Sequence, residues 1–355
     1  MRVAVTGATG NVGTATVQAL AARPEVDEIV GIARRRPFLD LDKVTWVGAD
    51  VSTDALRPLF RGCDAVVHLA WLIQPSRDLA RLDAVNINGS RRVFEAAARA
   101  GVGALVHASS VGAYAPGPKE HAVDESWPTT GVSSSTYSRQ KAAVERILDS
   151  IERRYPDLRV ARLRPGLVLQ RPAATEIRRL FLCPFVPAAL LRRRLLAVVP
   201  RMNGLCFQVV HAADVGAAFA AAAVGSASGA FNVAADPVLD AAELGRAIGA
   251  RPVPLPVAPV RALVDLTWRL RLHPTEPAWL DLILSVPVMD TTRARTELDW
   301  APKLSSSEAV VELLDGIRDG AGWGTPPLHG AGGVADRVRE VRTGVGAREE
   351  WPKHA

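Results

Sequence analysis

The chain is poor in cysteine: Cys63, Cys183 and Cys206 are odd in number and far apart, so their spacing supports neither a disulfide framework nor a metal-ligand cluster. A reducing compartment, the cytoplasm, is the expectation. Long apolar runs are missing too. The most apolar stretches are broken by proline, as in Leu180 to Leu191, or built mainly of alanine, as in Val215 to Val224. Neither reaches the roughly 20 apolar residues that span a bilayer. Met1-Arg2-Val3-Ala4-Val5-Thr6 leads straight into a strand pattern, without the apolar core and small-residue cleavage site of a secretion signal. Lysine is scarce, five residues against 38 arginines, and the net charge is +6. Because no basic run is interleaved with aromatic residues, this bias reads as a solvated arginine-rich surface and argues against a nucleic-acid partner.

What the chain does contain is an ordinary globular balance, 48% hydrophobic and 23% charged over 355 residues, with no internal repeat. Short apolar runs alternate with helical stretches as far as residue 165. Strands are expected at Val3 to Thr6, Ile29 to Ala33, Val44 to Val47, Ala65 to Leu69, Leu105 to Ala108 and Val160 to Leu163. Helices are expected at Val12 to Ala22, Ser90 to Ala100 and Tyr137 to Arg154. In the last of these, Val144, Ile147, Leu148 and Ile151 share one face, the spacing of a helix lying on a sheet. The fold class is therefore α/β, a Rossmann-type doubly wound parallel sheet. Residues 1–165 form the dinucleotide-binding domain, with a return to the sheet near 207–235 signalled by Phe231-Asn232-Val233-Ala234. Residues 166–206 and 236–318, punctuated by proline, form a smaller, discontinuous substrate side. The glycine-rich stretch 319–355 reads as a disordered or loosely attached tail.

Thr6-Gly7-Ala8-Thr9-Gly10-Asn11-Val12-Gly13 lies between the first strand and the first helix, the context a dinucleotide fingerprint requires. Gly7 permits the tight turn, Gly10 lets the backbone approach a pyrophosphate, and Gly13 allows close packing. The helix N-terminus would then meet the phosphates. At the end of the second strand, Ala33-Arg34-Arg35-Arg36 stands where a carboxylate would bind both ribose hydroxyls. An arginine there suits a 2′-phosphate, so NADP(H) is favoured over NAD(H) through Arg34. Further on, Tyr137 and Lys141 are four residues apart on one helix face, close enough for the ammonium to favour the phenolate. Ser109-Ser110 closes the fifth strand, at the edge where such a sheet presents its active site.

In this order the motifs resemble the extended short-chain dehydrogenase/reductase family, the NAD-dependent epimerase/dehydratase family, over residues 1–315. The match includes the glycine loop, Asp50-Val51, Asp64 to Ala70, Asn86 to Ser90, Ser109 to Tyr114, the Tyr137/Lys141 pair, Arg164-Pro165-Gly166, His211 to Val215 and Leu298-Asp299-Trp300. The resemblance implies that Ser110 orients the reacting oxygen and that Tyr137 is the general acid/base. Lys141 would bind the nicotinamide ribose and tune Tyr137, and Asn86 would support the active-site helix. Asp50 and Val51, the Leu69-Ala70 backbone, Ala108 and Pro165 would line the cofactor, beside Gly7, Thr9, Gly10, Asn11, Val12 and Gly13. His68 and His211 read as structural residues. No metal ligand set is visible.

Two departures narrow the chemistry. Ser110 is followed by Val111-Gly112 where the family's dehydratases carry an acidic pair, and Gly166 to Leu169 lacks the asparagine that holds a sugar diphosphate. The expected activity is hydride transfer at a carbonyl or alcohol carbon of a small, fairly apolar substrate. A sugar or nucleotide-sugar epimerase is the enzyme alternative. A catalytically silent NADP(H)-sensing protein is the alternative of another class, disfavoured because the Tyr/Lys pair is kept. Arg178 to Pro200 is expected to cover the pocket, and the family resemblance allows a homodimer through helices of the cofactor domain.

Overall fold

The computed structural model describes residues 1–37, 39–73, 77–181, 197–272 and 275–329. The central sheet has seven strands: β1 (Arg2–Thr6), β2 (Glu28–Ala33), β3 (Val44–Gly48), β4 (Ala65–His68), β5 (Ala104–Ala108), β6 (Arg159–Pro165) and β7 (Gly229–Val233). All six neighbouring pairs are parallel, in the order β3-β2-β1-β4-β5-β6-β7. The strand order reverses between β1 and β4, which opens a crevice at their carboxyl ends. All the expected strands are present, and β7 is the anticipated return to the sheet.

Burial on both faces explains why these strands read as unbroken apolar runs rather than alternating ones. Along β1, Val3 and Val5 face one helical layer with α1 (Asn11–Ala21), while Ala4 faces the other. That other layer holds α2 (Ser90–Ala100) and α3 (Thr136–Arg154), whose Phe94, Val144, Leu148 and Ile151 are buried beneath Val66 and Leu105. The alanine-rich stretch forms α4 (Ala212–Val224), packed against α1. A Cβ on Gly216 would stand 2.5 Å from the Ala15 carbonyl, so small side chains let the two helices approach closely. Among the described residues no helix is long and apolar enough to cross a membrane.

The remaining elements gather beyond the carboxyl ends of β5 and β6. Strand Leu167–Leu169 pairs with Val209–His211, Val198–Arg201 with Arg251–Pro254, and Ala122–Val123 with Val288–Met289. Helices α5 (Val257–Arg269), α6 (Ala278–Ser285) and α7 (Ser306–Asp319) complete this side. In the segment expected to cover the pocket, residues 182–196 lie outside the described residues.

Residues 320–329, expected to belong to a disordered or loosely attached tail, are folded onto the rest. Gly320 ends α7 at φ +63°, and the chain then folds back, with Thr325 and Leu328 fully buried and the Thr325 hydroxyl donating to the Thr9 carbonyl at 2.8 Å. Glycine content misled here because the apolar contacts are few and not periodic. Residues 330–355 lie outside the described residues.

Candidate active site

The glycine loop runs from the end of β1 into α1 with almost no spare room. Gly7 has φ +73°, and a Cβ there would meet the Ala70 nitrogen at 2.6 Å; one on Gly13 would meet the Gly7 carbonyl oxygen at 2.1 Å. Substitution at either would displace backbone, so the loop, the Leu69-Ala70 segment and the first turn of α1 are held as one concave surface. Gly10 is different, since a Cβ there meets only the Gly7 oxygen at 3.5 Å and the space outside stays open. Thr9 is buried beneath the C-terminal turn, and Val12 packs at the rim of the core. The Asn11 amide is committed to protein: it donates to the Val168 carbonyl at 3.0 Å, and Gln170 donates to its Oδ1 at 2.8 Å.

Arg34 follows β2 within electrostatic reach of both Asp50 and Arg81. The Asp50 carboxylate is folded into its own turn, accepting from the Ser52 amide at 2.8 Å and the Ser52 hydroxyl at 2.6 Å. Val51 is buried against Gly89. Pro165, the last residue of β6, is buried as well.

Helix α3 starts at the Ser135 cap, whose hydroxyl accepts from the Ser138 amide, and this sets Tyr137 and Lys141 in its first two turns. The Tyr137 ring lies between Trp71, 6.0 Å away and edge-on, and Trp279 of α6, 4.9 Å away and tilted. Gly112 leaves room for it, since a Cβ there would stand 2.8 Å from the ring. Burial pushes the Tyr137 phenol up to about 12, and hydrogen bonding to Ser110 opposes the rise. The phenol is thus a proton donor at neutral pH.

The sequence suggested that Lys141 would lower the Tyr137 pKa, and in this structure it does not. The Lys141 ammonium donates to the Ala108 carbonyl at 2.8 Å and sits 3.5 Å above the Trp71 ring, 5.8 Å from the Tyr137 ring centre. Burial brings its own pKa down to about 7, with Glu145 pulling the other way.

Asn86 is fully buried within a π-helical turn, 84–89. Its Oδ1 accepts from the Leu72 amide at 2.8 Å, and its Nδ2 donates to the Leu72 carbonyl at 2.8 Å and to Gln140 Oε1 at 2.9 Å. Asn86 therefore ties the Trp71-Leu72 loop to α3. One turn beyond Lys141, the Glu145 carboxylate is buried among Arg164, which donates from Nε and Nη2 at 2.9 Å each, Arg162 at 3.1 Å and the Ser109 hydroxyl at 2.5 Å. These donors hold its carboxyl down at about 2 despite burial.

His68 bonds the Thr6 hydroxyl at 2.7 Å and the Ser90 hydroxyl at 2.9 Å, and its burial, with the nearby Lys141 charge, takes its pKa to about 3. His211 caps α4 through the Ala213 amide. Both are structural. No group of His, Cys, Asp or Glu that could hold a metal occurs among the described residues.

The structure brings Ser110, Tyr137, Lys141 and Ala108 together. Sequence reasoning missed Trp71, Gln140, Glu145 and Trp279. Trp71 and Gln140 adjoin singled-out residues and could have been flagged. Trp279 arrives from a distant helix with no local signal.

A doubly wound parallel sheet with a glycine cradle at its switch point, and a phenol, a hydroxyl and an ammonium beside it, defines a Rossmann-type dinucleotide-binding protein. The family model described as "NAD dependent epimerase/dehydratase family" matches residues 3–234, and the chain belongs to that family. Uncharacterized protein Rv2047c of Mycobacterium tuberculosis (strain ATCC 25618 / H37Rv) is 26% identical over 327 residues, covering 91% of this chain; the chain spans only 31% of that relative's length. L-arabinose 1-dehydrogenase (NAD(P)(+)) of Haloferax volcanii is 43% identical over 109 residues, 31% of this chain and 41% of that protein. Among solved structures, UDP-glucuronic acid 4-epimerase from Bacillus cereus in complex with NAD superposes with a TM-score of 0.66 at 19% identity, covering 90% of this chain and 99% of that one.

Proposed function

We propose that the protein is an NAD(P)-dependent oxidoreductase that moves hydride to or from a carbonyl or alcohol carbon, with Tyr137 transferring the proton. The observation that carries this reading is the Tyr137 phenol, hydrogen-bonded to Ser110 and lining a largely apolar recess. The recess is lined by Leu72, Ile73, Leu82 and Trp279 with Thr136, Gln140 and Glu276, and among the described residues no basic side chain lines it. Leucine, isoleucine and tryptophan beside the phenol support a largely apolar substrate.

The glycine cradle fits a dinucleotide, held by Gly7, Gly10, Gly13 and the first turn of α1. When bound, the nicotinamide would supply or accept the hydride. Ser110 and Tyr137 would hold the substrate oxygen by two hydrogen bonds, and Tyr137 would donate its proton as charge develops there. Trp71 and Trp279 would exclude water. Arg34, with Arg81 nearby and no acidic residue from Ala33 to Arg36, supports NADP(H) over NAD(H).

The test is a panel of small neutral ketones and alcohols, followed by nicotinamide absorbance. Stoichiometric consumption of NADPH with an apolar ketone is expected. Isomerisation of a UDP sugar without net cofactor change would establish the epimerase reading instead. Binding of cofactor with no turnover on any substrate would favour a sensor.

A further inference from the structure

The large apolar side chains left in solvent are concentrated in one place. Of the nine such residues among the described ones, seven belong to strand Val198–Arg201 or to residues 253–272. Helix α5 buries none of its 13 residues. Leu263, Leu266 and Leu270, at spacings of three and four, form one ridge and are 61%, 54% and 61% exposed, flanked by Leu255 and Leu272. Among the described residues nothing covers this row of leucines, so the helix has an apolar face without a partner there.

We propose that this leucine ridge docks on an anionic lipid surface. Its charge complements such a surface: residues 251–272 carry four arginines against one acid, and with Arg269 paired to Asp265 and Arg261 to Asp281, Arg251 and Arg271 remain as the cationic fringe. Leucines fringed by arginine are the pattern of a helix lying in a bilayer interface, where headgroup charge and acyl chains are met together. A second copy of this chain is the poorer occupant, because a two-fold contact through the ridge would set the arginine fringe against itself.

The helix that carries the ridge is tied to the recess wall through its opposite face. Arg261 makes a two-pronged ion pair with Asp281 of α6, at 2.7 and 2.9 Å, two residues from the Trp279 that packs on Tyr137. Arg77, four residues beyond Ile73 of the recess wall, donates to the Trp268 carbonyl and stacks 4.1 Å over the Trp268 ring. A docked molecule would therefore hold its recess close to the lipid. The docking itself does not depend on the substrate proposed above.

Sedimentation of the full chain with vesicles tests this, using pure phosphatidylcholine and phosphatidylcholine containing about one third phosphatidylglycerol. The expected result is co-sedimentation with the anionic vesicles, weakened as salt screens the arginines. The Leu263→Ser/Leu266→Ser/Leu270→Ser variant should partition about tenfold less or worse, with an unchanged Tm because these side chains are already exposed. Failure of the wild type to sediment with anionic vesicles, or equal binding by the variant, overturns the proposal. So does a dimer in light scattering that the variant disperses, which would assign the ridge to a second copy. A fall in the variant's Tm without vesicle binding would show that the chain covers the ridge itself.

Discussion

Replacing Glu145 by glutamine keeps the side-chain volume but removes the buried carboxylate of Arg164, whereas Arg162, its second partner, keeps Asp149 and Glu152. Breaking a buried ion pair by deleting one partner costs about 3–5 kcal/mol, because the remaining charge stays desolvated. The acidity of Glu145 gives an independent figure: a carboxyl held at about 2 against its ordinary 4.5 corresponds to about 3 kcal/mol of folding free energy. The two routes agree, and the loss is a large share of the roughly 5–15 kcal/mol that holds a domain together. A depressed carboxyl contributes fully above its unfolded pKa and loses its contribution as pH falls through the folded one. The wild-type advantage should thus be complete at pH 7 and shrink between about pH 4.5 and 2. Urea unfolding of both proteins, followed by circular dichroism across that range, measures the difference. Equal midpoints at pH 7, or a gap that widens on acidification, would refute the reasoning. Glu145→Gln should also slow turnover, since the Ser109 hydroxyl loses its ionised acceptor next to Ser110.

Tyr137→Phe should lower turnover by about 10²- to 10⁴-fold while thermal-shift titration shows unchanged cofactor binding; wild-type rates would exclude the phenol as the acid. Arg34→Ala should weaken NADPH binding with little effect on NADH, and equal loss for both would remove the basis for the phosphate preference. Lys141 is driven down from 10.5 to about 7, so the unfolded chain binds the extra proton between those values and cofactor-free stability should rise with pH. Lys141→Met should abolish this slope, worth up to about 1.4 kcal/mol per pH unit, and stabilise the inactive protein at pH 7. Thermal melts at pH 7 and 9 on both proteins check the sign.

The parts of this molecule that could be read from the sequence are those coded locally. Parallel strands buried on both faces announce themselves as apolar runs, and Gly13 is forced by contacts with Gly7 and Ala8 in the same loop. Tyr137 and Lys141 share a helix, so their nearness followed from helical geometry. What could not be read depends on distant segments. Trp279 reaches Tyr137 from α6, and Lys141 turns to Trp71 and the Ala108 carbonyl, so the expected tuning of the phenol gave way to desolvation. The four buried polar residues Ser138, Gln140, Lys141 and Glu145 interrupt the apolar face of α3 at its start, where the helix meets the site rather than the core.

The hydroxyl of Thr325 on the carbonyl of Thr9 joins residues 316 positions apart. A nascent chain can pair its first strands long before that bond exists, yet one support of the glycine loop comes from residue 325. Completion of the cradle is thereby deferred until Thr325 has been made, and closing so long a loop is among the slower steps available to a polypeptide. A chain cut before Thr325 should then keep its sheet but hold nucleotide poorly, so capture of the ligand would report a contact that the sheet alone does not contain.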